Sequence, residues 1–139
     1  GDTAYNVLGQ VELRRLGSTA GILTTDYSYR SDNFRLQWLR TGTASPYESL
    51  QKLEYAYDAA GNVDWIKDYK IGNPQLQDFT YDALNRLTNA VASGGTNGNY
   101  NSETYGFGSN GNLTSKAGVS YTYGAQAADC PDGLSLIHI

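Results

Sequence analysis

The sequence is poor in the residues that most enzyme and metal sites need. Its 139 residues contain one cysteine, Cys130, one histidine, His138, and no methionine. A single cysteine excludes an internal disulfide and a multi-cysteine metal site, and a single histidine excludes a multi-histidine site. We therefore expect no cofactor and no metal. Because no credible base stands beside a nucleophile, the chain is predicted not to be an enzyme.

Charge and long apolar runs are also scarce. Charged residues make up 17% of the chain and the net charge is -4, with no basic cluster, so a nucleic acid is not an expected partner. No run approaches the roughly 20 apolar residues that a membrane span needs, so none is expected. Since a translated gene begins with methionine, we expect this chain to be a piece of a longer protein.

The last six residues continue no pattern found upstream. Leu-Ser-Leu-Ile-His-Ile at residues 134–139 matches the translation of a transposon-end adapter used in sequencing libraries. We expect adapter read-through there, the alternative being a short apolar strand, and we expect residues 125–133 to be a degraded repeat or junction. We exclude these six residues from the interpretation, so His138 is no longer a candidate catalytic residue.

Tyrosine is abundant, with 12 residues, and it recurs in a fixed frame. An aromatic residue, often the second of an aromatic-x-aromatic pair, is followed four positions later by Gly or Asn. A sixth, incomplete copy begins at Tyr121 and Tyr123. Fixed motifs with variable spacers suggest hairpin units joined by loops that tolerate insertion. The aromatic residues are Tyr5, Tyr29, Tyr57, Tyr81 and Phe107, and the turn residues are Gly9, Asn33, Gly61, Asn85 and Gly111.

Each copy has a physical interpretation as a strand and a turn. Leu53, Tyr55 and Tyr57 alternate with polar or small residues, which is typical of a half-buried strand. Asp58 then begins a type I turn, and Gly61 takes the left-handed conformation and starts the next strand with a bulge. The same alternation predicts strands through Phe34, Leu36 and Trp38, and through Val119, Tyr121 and Tyr123.

Asparagine is the next residue type that tolerates a positive φ, so Asn33 and Asn85 are predicted to fill the glycine slot. After the turn, Val63, Leu87 and Leu113 return an apolar residue to the core face. The sequence thus predicts an all-β fold of tandem β-hairpins, with residues 41–45 and 93–99 as its main irregular spans.

The Tyr-Asp-x-x-Gly-Asn-Val of residues 57–63 and the Tyr-Asp-x-x-Asn-Arg-Leu of residues 81–87 resemble YD repeats, also called RHS repeats. The resemblance covers about five to six copies, and it assigns residues 1–124 to one repeat segment. Family members include bacterial polymorphic toxins, the BC components of Tc toxin complexes, wall-associated proteins and the animal teneurins. The resemblance implies a spiralling antiparallel β-sheet that closes as a shell.

The resemblance also assigns a structural repeat motif, and the chain departs from it in places. The third clear copy has Gly108 for Asp and Phe107 for Tyr. The self-cleaving signature that follows the repeats in the toxins is not in this chain, so no cleavage activity is carried over. The motif residues are Tyr29, Asn33, Tyr55, Tyr57, Asp58, Gly61, Asn62, Phe79, Tyr81, Asp82, Asn85, Arg86, Tyr105, Phe107, Gly111, Asn112, Tyr121 and Tyr123.

Catalytic and ligand-binding interpretations of these residues each have a simpler structural alternative. Asp58 and Asp82 could be a hydrolytic pair, but each is already explained as a turn residue. The turns lack the spacing of known calcium loops. The sequon at residues 112–114 lies inside a repeat turn. Tyrosine stripes could stack on sugars, although alternating aromatics are more often cross-strand pairs.

Two functions of different classes follow. The first is a wall segment of a secreted or cell-surface bacterial toxin, whose partners are the neighbouring YD repeats of the same chain and an enclosed C-terminal effector. The alternative is a cell-surface adhesion or carbohydrate-binding module, whose partner is a glycan or a surface receptor. Exposed tyrosines on one face of the sheet would favour binding, whereas tyrosines covered by neighbouring repeats would favour the shell.

Overall fold

The computed structural model of the protein describes residues 2–17, 21–70 and 73–123, and these residues form strands and turns without a helix. The predicted all-β fold is confirmed. The strands are β1 (Thr3–Tyr5), β2 (Val11–Leu16), β3 (Leu23–Tyr29), β4 (Leu36–Gly42), β5 (Gln51–Tyr57), β6 (Val63–Asp68), β7 (Gln75–Tyr81), β8 (Leu87–Ser93), β9 (Tyr100–Phe107), β10 (Leu113–Lys116) and β11 (Val119–Ser120).

All eleven strands lie in one antiparallel sheet in chain order, so every strand pairs with its neighbours in sequence. This meander places the connections alternately at the two ends of the strands. One end carries the five tight turns between β1 and β2, β3 and β4, β5 and β6, β7 and β8, and β9 and β10. We call this end the turn edge. The connections whose length varies most in sequence lie at the opposite end.

The sheet is a single layer, and its described residues form only a small buried core. Among the described residues no large side chain is fully buried, and the buried hydrophobic residues are Ala90 and Ala92. Large apolar side chains such as Leu84, at 71% exposure, stand in solvent at the turns. Sheets in globular proteins usually bury one face against another layer, and no such layer is present among the described residues.

Cross-strand register distributes charge unequally between the two faces from β3 to β8. Register rows place Asp26, Arg40, Lys52, Glu54, Lys67 and Asp78 on one face, which we call the charged face. The same rows place Tyr27, Leu39, Leu53, Tyr55, Ile66 and Phe79 on the other, the neutral face. Asp68 is the one charged residue that register puts on the neutral face within these described strands.

The predicted turn and bulge are present between β5 and β6. The Gly61 amide donates to the Asp58 carbonyl at 3.1 Å, and the Asp58 amide donates to the Asn62 carbonyl at 3.0 Å. Asp58 therefore opposes both Gly61 and Asn62, which is a bulge with glycine in the left-handed position. Positive φ is confirmed at Gly61 (99°), Gly111 (87°) and Asn85 (59°).

A second irregularity follows every tight turn. The strand that follows each tight turn, which we call the returning strand, shifts its register by one residue near its start. One residue there therefore has no partner on the preceding strand. Bulges of this kind bend a strand and increase its twist. The skipped residues are Glu12, Gln37, Asp64, Thr88 and Thr114, and all of them are polar.

The turn between β3 and β4 departs from the prediction. Its positive φ lies at Phe34 (57°) and not at Asn33. Tyr29 pairs with Leu36 across this turn, seven positions on, whereas Tyr57 pairs with Val63, six positions on. One extra residue in the turn therefore moves the left-handed position forward, and the assignment of Asn33 to the glycine slot is wrong.

Three strand limits also differ from expectation. Phe34 lies in the turn, because β4 begins at Leu36. Residues 41–42 and 93 belong to strands, so the first irregular span shifts and lengthens to 43–50 and the second shortens to 94–99. Strand β11 ends at Ser120, so Tyr121 and Tyr123 lie beyond the last strand of the described residues. The interpretations of residues 125–139, with Cys130 and His138, lie outside the described residues.

Candidate structural site: the turn edge

The Asp58 carboxylate holds its turn closed from within. Its Oδ1 accepts the backbone amides of Gly61 at 2.7 Å and Asn62 at 2.9 Å, and its Oδ2 accepts the Asn62 side-chain amide at 2.9 Å. These hydrogen bonds, chiefly the one from the Asn62 side chain, hold the pKa of Asp58 below its usual value. All of the carboxylate's contacts are local, which is the behaviour of a turn residue.

The equivalent residue repeats this arrangement in two other turns. Asp82 Oδ1 accepts the amides of Leu84 and Arg86, and its Oδ2 accepts Arg86 Nε at 2.7 Å. The backbone amide of Arg86 is the largest cause that lowers the pKa of Asp82. Asn6 takes the same place in the first turn and accepts the amides of Leu8 and Gln10. The fifth turn has Gly108 there, which has no side chain to do so.

Tyrosine hydroxyls link successive turns. The Tyr57 hydroxyl donates to the Leu36 carbonyl at 2.9 Å, and the Tyr81 hydroxyl donates to the Val63 carbonyl at 2.9 Å. The acceptor is in each case the first residue of the strand that follows the preceding tight turn. Tyr29 bonds to Val11 and Tyr123 bonds to Leu113 in the same way, at 2.7 and 2.8 Å. We call this series the tyrosine ladder.

Three of the ladder hydroxyls lie where ionisation is disfavoured. Burial is the largest cause that raises the pKa of Tyr29, Tyr57 and Tyr81 above the ordinary value of 10. A neutral phenol is the form that can donate, so each hydroxyl remains a donor at neutral pH. Each bond also satisfies a strand carbonyl near the end of the sheet, where unpaired backbone groups are costly when covered.

Phe107 interrupts the ladder. It occupies the position of Tyr57 and Tyr81 but has no hydroxyl to donate to Leu87, the equivalent acceptor. The Arg86 guanidinium instead lies over the Phe107 ring, 4.5 Å from its centroid. Arg35 lies over the Tyr57 ring at 5.3 Å in the equivalent place. Stacking a cation on an aromatic face is favourable, and this contact is kept at Phe107 although the hydrogen bond is absent.

Two side chains also bridge neighbouring turns directly. Gln10 Nε2 donates to the Phe34 carbonyl at 2.8 Å, and Asn62 Nδ2 donates to Asn85 Oδ1 at 3.0 Å. Gln10 and Asn62 both precede the first residue of a returning strand, and Phe34 and Asn85 both hold the left-handed position of the next turn. The turn edge is thus cross-linked laterally by side chains as well as by the ladder.

Three other predicted motif residues make ordinary strand or turn contacts. Tyr55 and Phe79 lie on the neutral face, paired with Ile66 and Ala90. The Asn33 side chain accepts the Arg35 amide at 3.1 Å.

The last copies of the motif are simpler. The Tyr105 hydroxyl donates to Glu103 at 3.2 Å, and the Asn112 amide donates to Asn110 Oδ1 at 3.2 Å. The Tyr121 amide donates to the Thr114 carbonyl at 2.8 Å. The role of the whole motif as a structural unit stays a prediction.

A separate cluster on the charged face was not predicted from the sequence. The rings of Trp38 and Tyr69 lie 5.6 Å apart, and Lys52 Nζ stands within 5.5 Å of both ring centroids. The Tyr69 hydroxyl donates to Glu54 at 2.7 Å, and this bond is the largest cause that raises the pKa of Tyr69 to about 12. Lys52 also pairs with Glu48 at 2.8 Å.

The two turn carboxylates, Asp58 and Asp82, are engaged within their own turns. Asp58 and Asp82 each cap their own turn, so they do not form a carboxylate pair. Over residues 2–17, 21–70 and 73–123, no three His, Cys, Asp or Glu side chains come together as a metal site would require. That same part of the chain has no helix of the length and apolarity needed to cross a membrane.

Comparison with known proteins gives matches only among solved structures. No family model and no curated protein matches this chain. The crystal structure of TcdB2-TccC3-Cdc42 matches 87% of this chain, at 21% identity and a TM-score of 0.55. That agreement in backbone geometry over most of the chain decides the fold. The chain has the fold of a Tc toxin segment. The recognition of a YD-repeat sheet is therefore confirmed at the level of the fold.

Other Tc toxin structures match less closely. The Tc holotoxin pore of Photorhabdus luminescens covers 77% of this chain at 19% identity, with a TM-score of 0.43. The structure of TcdB2-TccC3-TEV covers 82% at 18% identity, with a TM-score of 0.44. This chain spans only 9% of the TcdB2-TccC3-Cdc42 chain that it matches.

Proposed function

We propose that this chain is a wall segment of a YD-repeat shell, part of a secreted or cell-surface bacterial protein that encloses and delivers a C-terminal toxin. In this role the segment is structural and performs no catalysis. Its partners are the neighbouring repeats of the same full-length chain and the enclosed effector. Residues 1–124 would be the repeat segment, and the effector would be encoded downstream.

The observation that carries the proposal is the single-layer sheet with a repeating turn edge. The ladder bonds at Tyr29, Tyr57 and Tyr81 each run from one repeat to the one before it, so these repeats stabilise their neighbours, as in an array that further copies can extend. The sheet buries no large side chain completely within the described residues. A repeat array of that kind gains its stability from further copies and covering layers, as a closed wall would supply.

The full-length gene product tests the proposal. Electron microscopy of the purified protein is expected to show a hollow particle, and limited proteolysis is expected to spare its C-terminal region until the particle is opened with denaturant. A C-terminal region that is digested at once, or a particle without a cavity, would contradict it. The C-terminal region produced without the repeats serves as the control, and it should be digested at once if enclosure is what protects it.

A second candidate is glycan binding, favoured by the Trp38 and Tyr69 rings on the charged face. Aromatic faces beside a carboxylate such as Glu54 suit a sugar ring. Lys52 already lies against both rings, so a sugar would have to displace its ammonium group. A glycan array with the chain and with Trp38→Ala tests this function: binding that Trp38→Ala removes would support the second candidate against the first.

A further inference from the structure

The two faces of the sheet are chemically different, and that difference specifies how the sheet can be covered. On β3 to β8 the charged face carries Asp26, Arg40, Lys52, Glu54, Lys67 and Asp78. Burying such groups against another apolar layer is costly unless each one is paired. The neutral face carries tyrosine, leucine, isoleucine and phenylalanine side chains, which gain from leaving water, together with uncharged polar side chains such as Thr41, Gln51 and Gln77.

Side chains on the neutral face are only half buried. Leu39, Leu53, Tyr55 and Ile66 form a contiguous group across three strands, because register pairs Leu39 with Leu53 and Tyr55 with Ile66. All four remain partly accessible to solvent. Adjoining apolar side chains that keep part of their surface in water can lose more of it when another surface packs on them.

The extent of the neutral face suits a protein partner. Six strands about 4.8 Å apart, each contributing about six residues at roughly 3.3 Å, give about 600 Å² in projection. A standard interface buries about 800 Å² of accessible surface per partner, and accessible area exceeds a flat projection. The neutral face alone is therefore large enough for a stable complex.

We infer that the neutral face binds the neutral face of a second copy of this chain, so that two sheets stack as a sandwich with both charged faces in water. Two copies of one sheet carry the same twist, so they can pack face to face at about 10 Å with a small angle between their strands. This inference does not depend on the shell, since it follows from the composition of the faces.

Two matched substitutions test the stacking. Leu53→Lys places a lysine on the neutral face opposite Asp68, and Val91→Lys places one on the charged face opposite Asp78. Both changes replace a partly buried aliphatic residue in a central strand and set the new charge against an aspartate. The two variants differ mainly in the face that carries the charge.

Sedimentation equilibrium of the purified 139-residue chain gives the readout. The expected result is a dimer in the micromolar range, whose dissociation constant rises about tenfold or more in Leu53→Lys and stays near the parent value in Val91→Lys. Circular dichroism of both variants checks that the sheet is retained. If Leu53→Lys fails to fold, Tyr55→Lys, beside Ile66 on the same face, replaces it.

Hydroxyl-radical footprinting gives a second readout that needs no substitution. On dimer formation, Tyr27, Tyr55 and Phe79 are expected to become protected, while Trp38 and Trp65 on the charged face keep their reactivity. Three results would overturn the inference: a monomer at all concentrations, equal weakening by both lysine variants, or open-ended growth in size, which indicates pairing through strand edges.

Discussion

The hydroxyl of Tyr57 donates a 2.9 Å hydrogen bond to the carbonyl oxygen of Leu36, a residue 21 positions earlier in the chain. The bond leaves one repeat and ends on the repeat before it, just inside the preceding tight turn. The same contact recurs at Tyr29, Tyr81 and Tyr123. A tyrosine at this position therefore forms the joint between two repeats, whereas Asp58 and Gly61 stabilise the turn within a single repeat.

Removing one ladder hydroxyl tests this joint. Tyr57→Phe keeps the ring and its contact with Arg35 but leaves the Leu36 carbonyl without its donor. We expect the free energy of unfolding to fall by about 0.5–1.5 kcal/mol, as for a typical intramolecular hydrogen bond. Urea denaturation measures it. Tyr55→Phe on the same strand is the control, and an equal loss there would mean that the ladder bond is not the cause.

Restoring the missing hydroxyl is the reverse experiment. Phe107→Tyr supplies a donor at the position where the ladder is interrupted, directed at the Leu87 carbonyl. We expect the free energy of unfolding to rise by up to about 1 kcal/mol. The gain stays below the loss from Tyr57→Phe if the new hydroxyl disturbs the Arg86 contact on the ring. A destabilised Phe107→Tyr variant would show that Phe107 is not equivalent to Tyr57.

The left-handed turn glycines separate backbone strain from steric overlap. Gly61→Val places a β-branched residue at φ 99° and brings its Cβ into the Arg35 guanidinium, whereas Gly111→Val meets nothing within 4 Å at φ 87°. We expect each to lose about 1–3 kcal/mol from strain alone, with the larger loss at Gly61. Thermal unfolding of both variants measures the difference, and unchanged stability in Gly111→Val would contradict the turn assignment.

Stability is expected to depend on pH through Asp82. Its hydrogen bonds and Arg86 hold its pKa below the ordinary value near 3.9, so the unfolded chain binds a proton more readily than the folded chain. This contribution is complete above that value and is lost as the pH falls through the lower folded-state pKa. Urea unfolding at neutral pH and near pH 3 should show a smaller acid-induced loss in Asp82→Asn than in the parent. An identical loss in both would exclude Asp82 as a source.

Much of the fold could be predicted from short stretches of the sequence. The alternation of Leu53, Tyr55 and Tyr57 was enough to predict a strand, and backbone sterics alone were enough to predict positive φ at Gly61 and Asn85. These features depend on residues a few positions apart, where the physical preferences are strong. A meander also joins neighbours in sequence, so the strand order required no long-range information.

The acceptors of the ladder could not be predicted in the same way. The Leu36 carbonyl has no side-chain signature, and its contact with Tyr57 depends on how two hairpins pair. The face on which Trp38 and Tyr69 meet likewise depends on register across three strands. Once the strand pairing is known, a tyrosine at the end of the strand before a tight turn, as at Tyr29, Tyr57 and Tyr81, becomes the signal that identifies the ladder.

The turn between β3 and β4 shows where a local rule was overruled. Asn tolerates the left-handed conformation better than Phe, so the sequence favoured Asn33. Pairing of Tyr29 with Leu36 leaves one more residue in the loop, and this register places Phe34 at φ 57°. Strand pairing fixed the conformation of the turn here, at the expense of residue preference.

Glycine and alanine substitutions locate that strained residue. At Phe34 both substitutions remove the same half-exposed ring and keep the backbone bonds, so their difference isolates the cost of a Cβ at positive φ. We expect Phe34→Gly to be more stable than Phe34→Ala by about 1 kcal/mol, which reverses the order found where φ is negative.

At Asn33 both substitutions remove the same side-chain bond to the Arg35 amide, and Asn33→Ala should be at least as stable as Asn33→Gly. Chemical denaturation of the four variants measures both differences. Should glycine be preferred at Asn33 and not at Phe34, the left-handed position would belong to Asn33 and the extra turn residue would not exist.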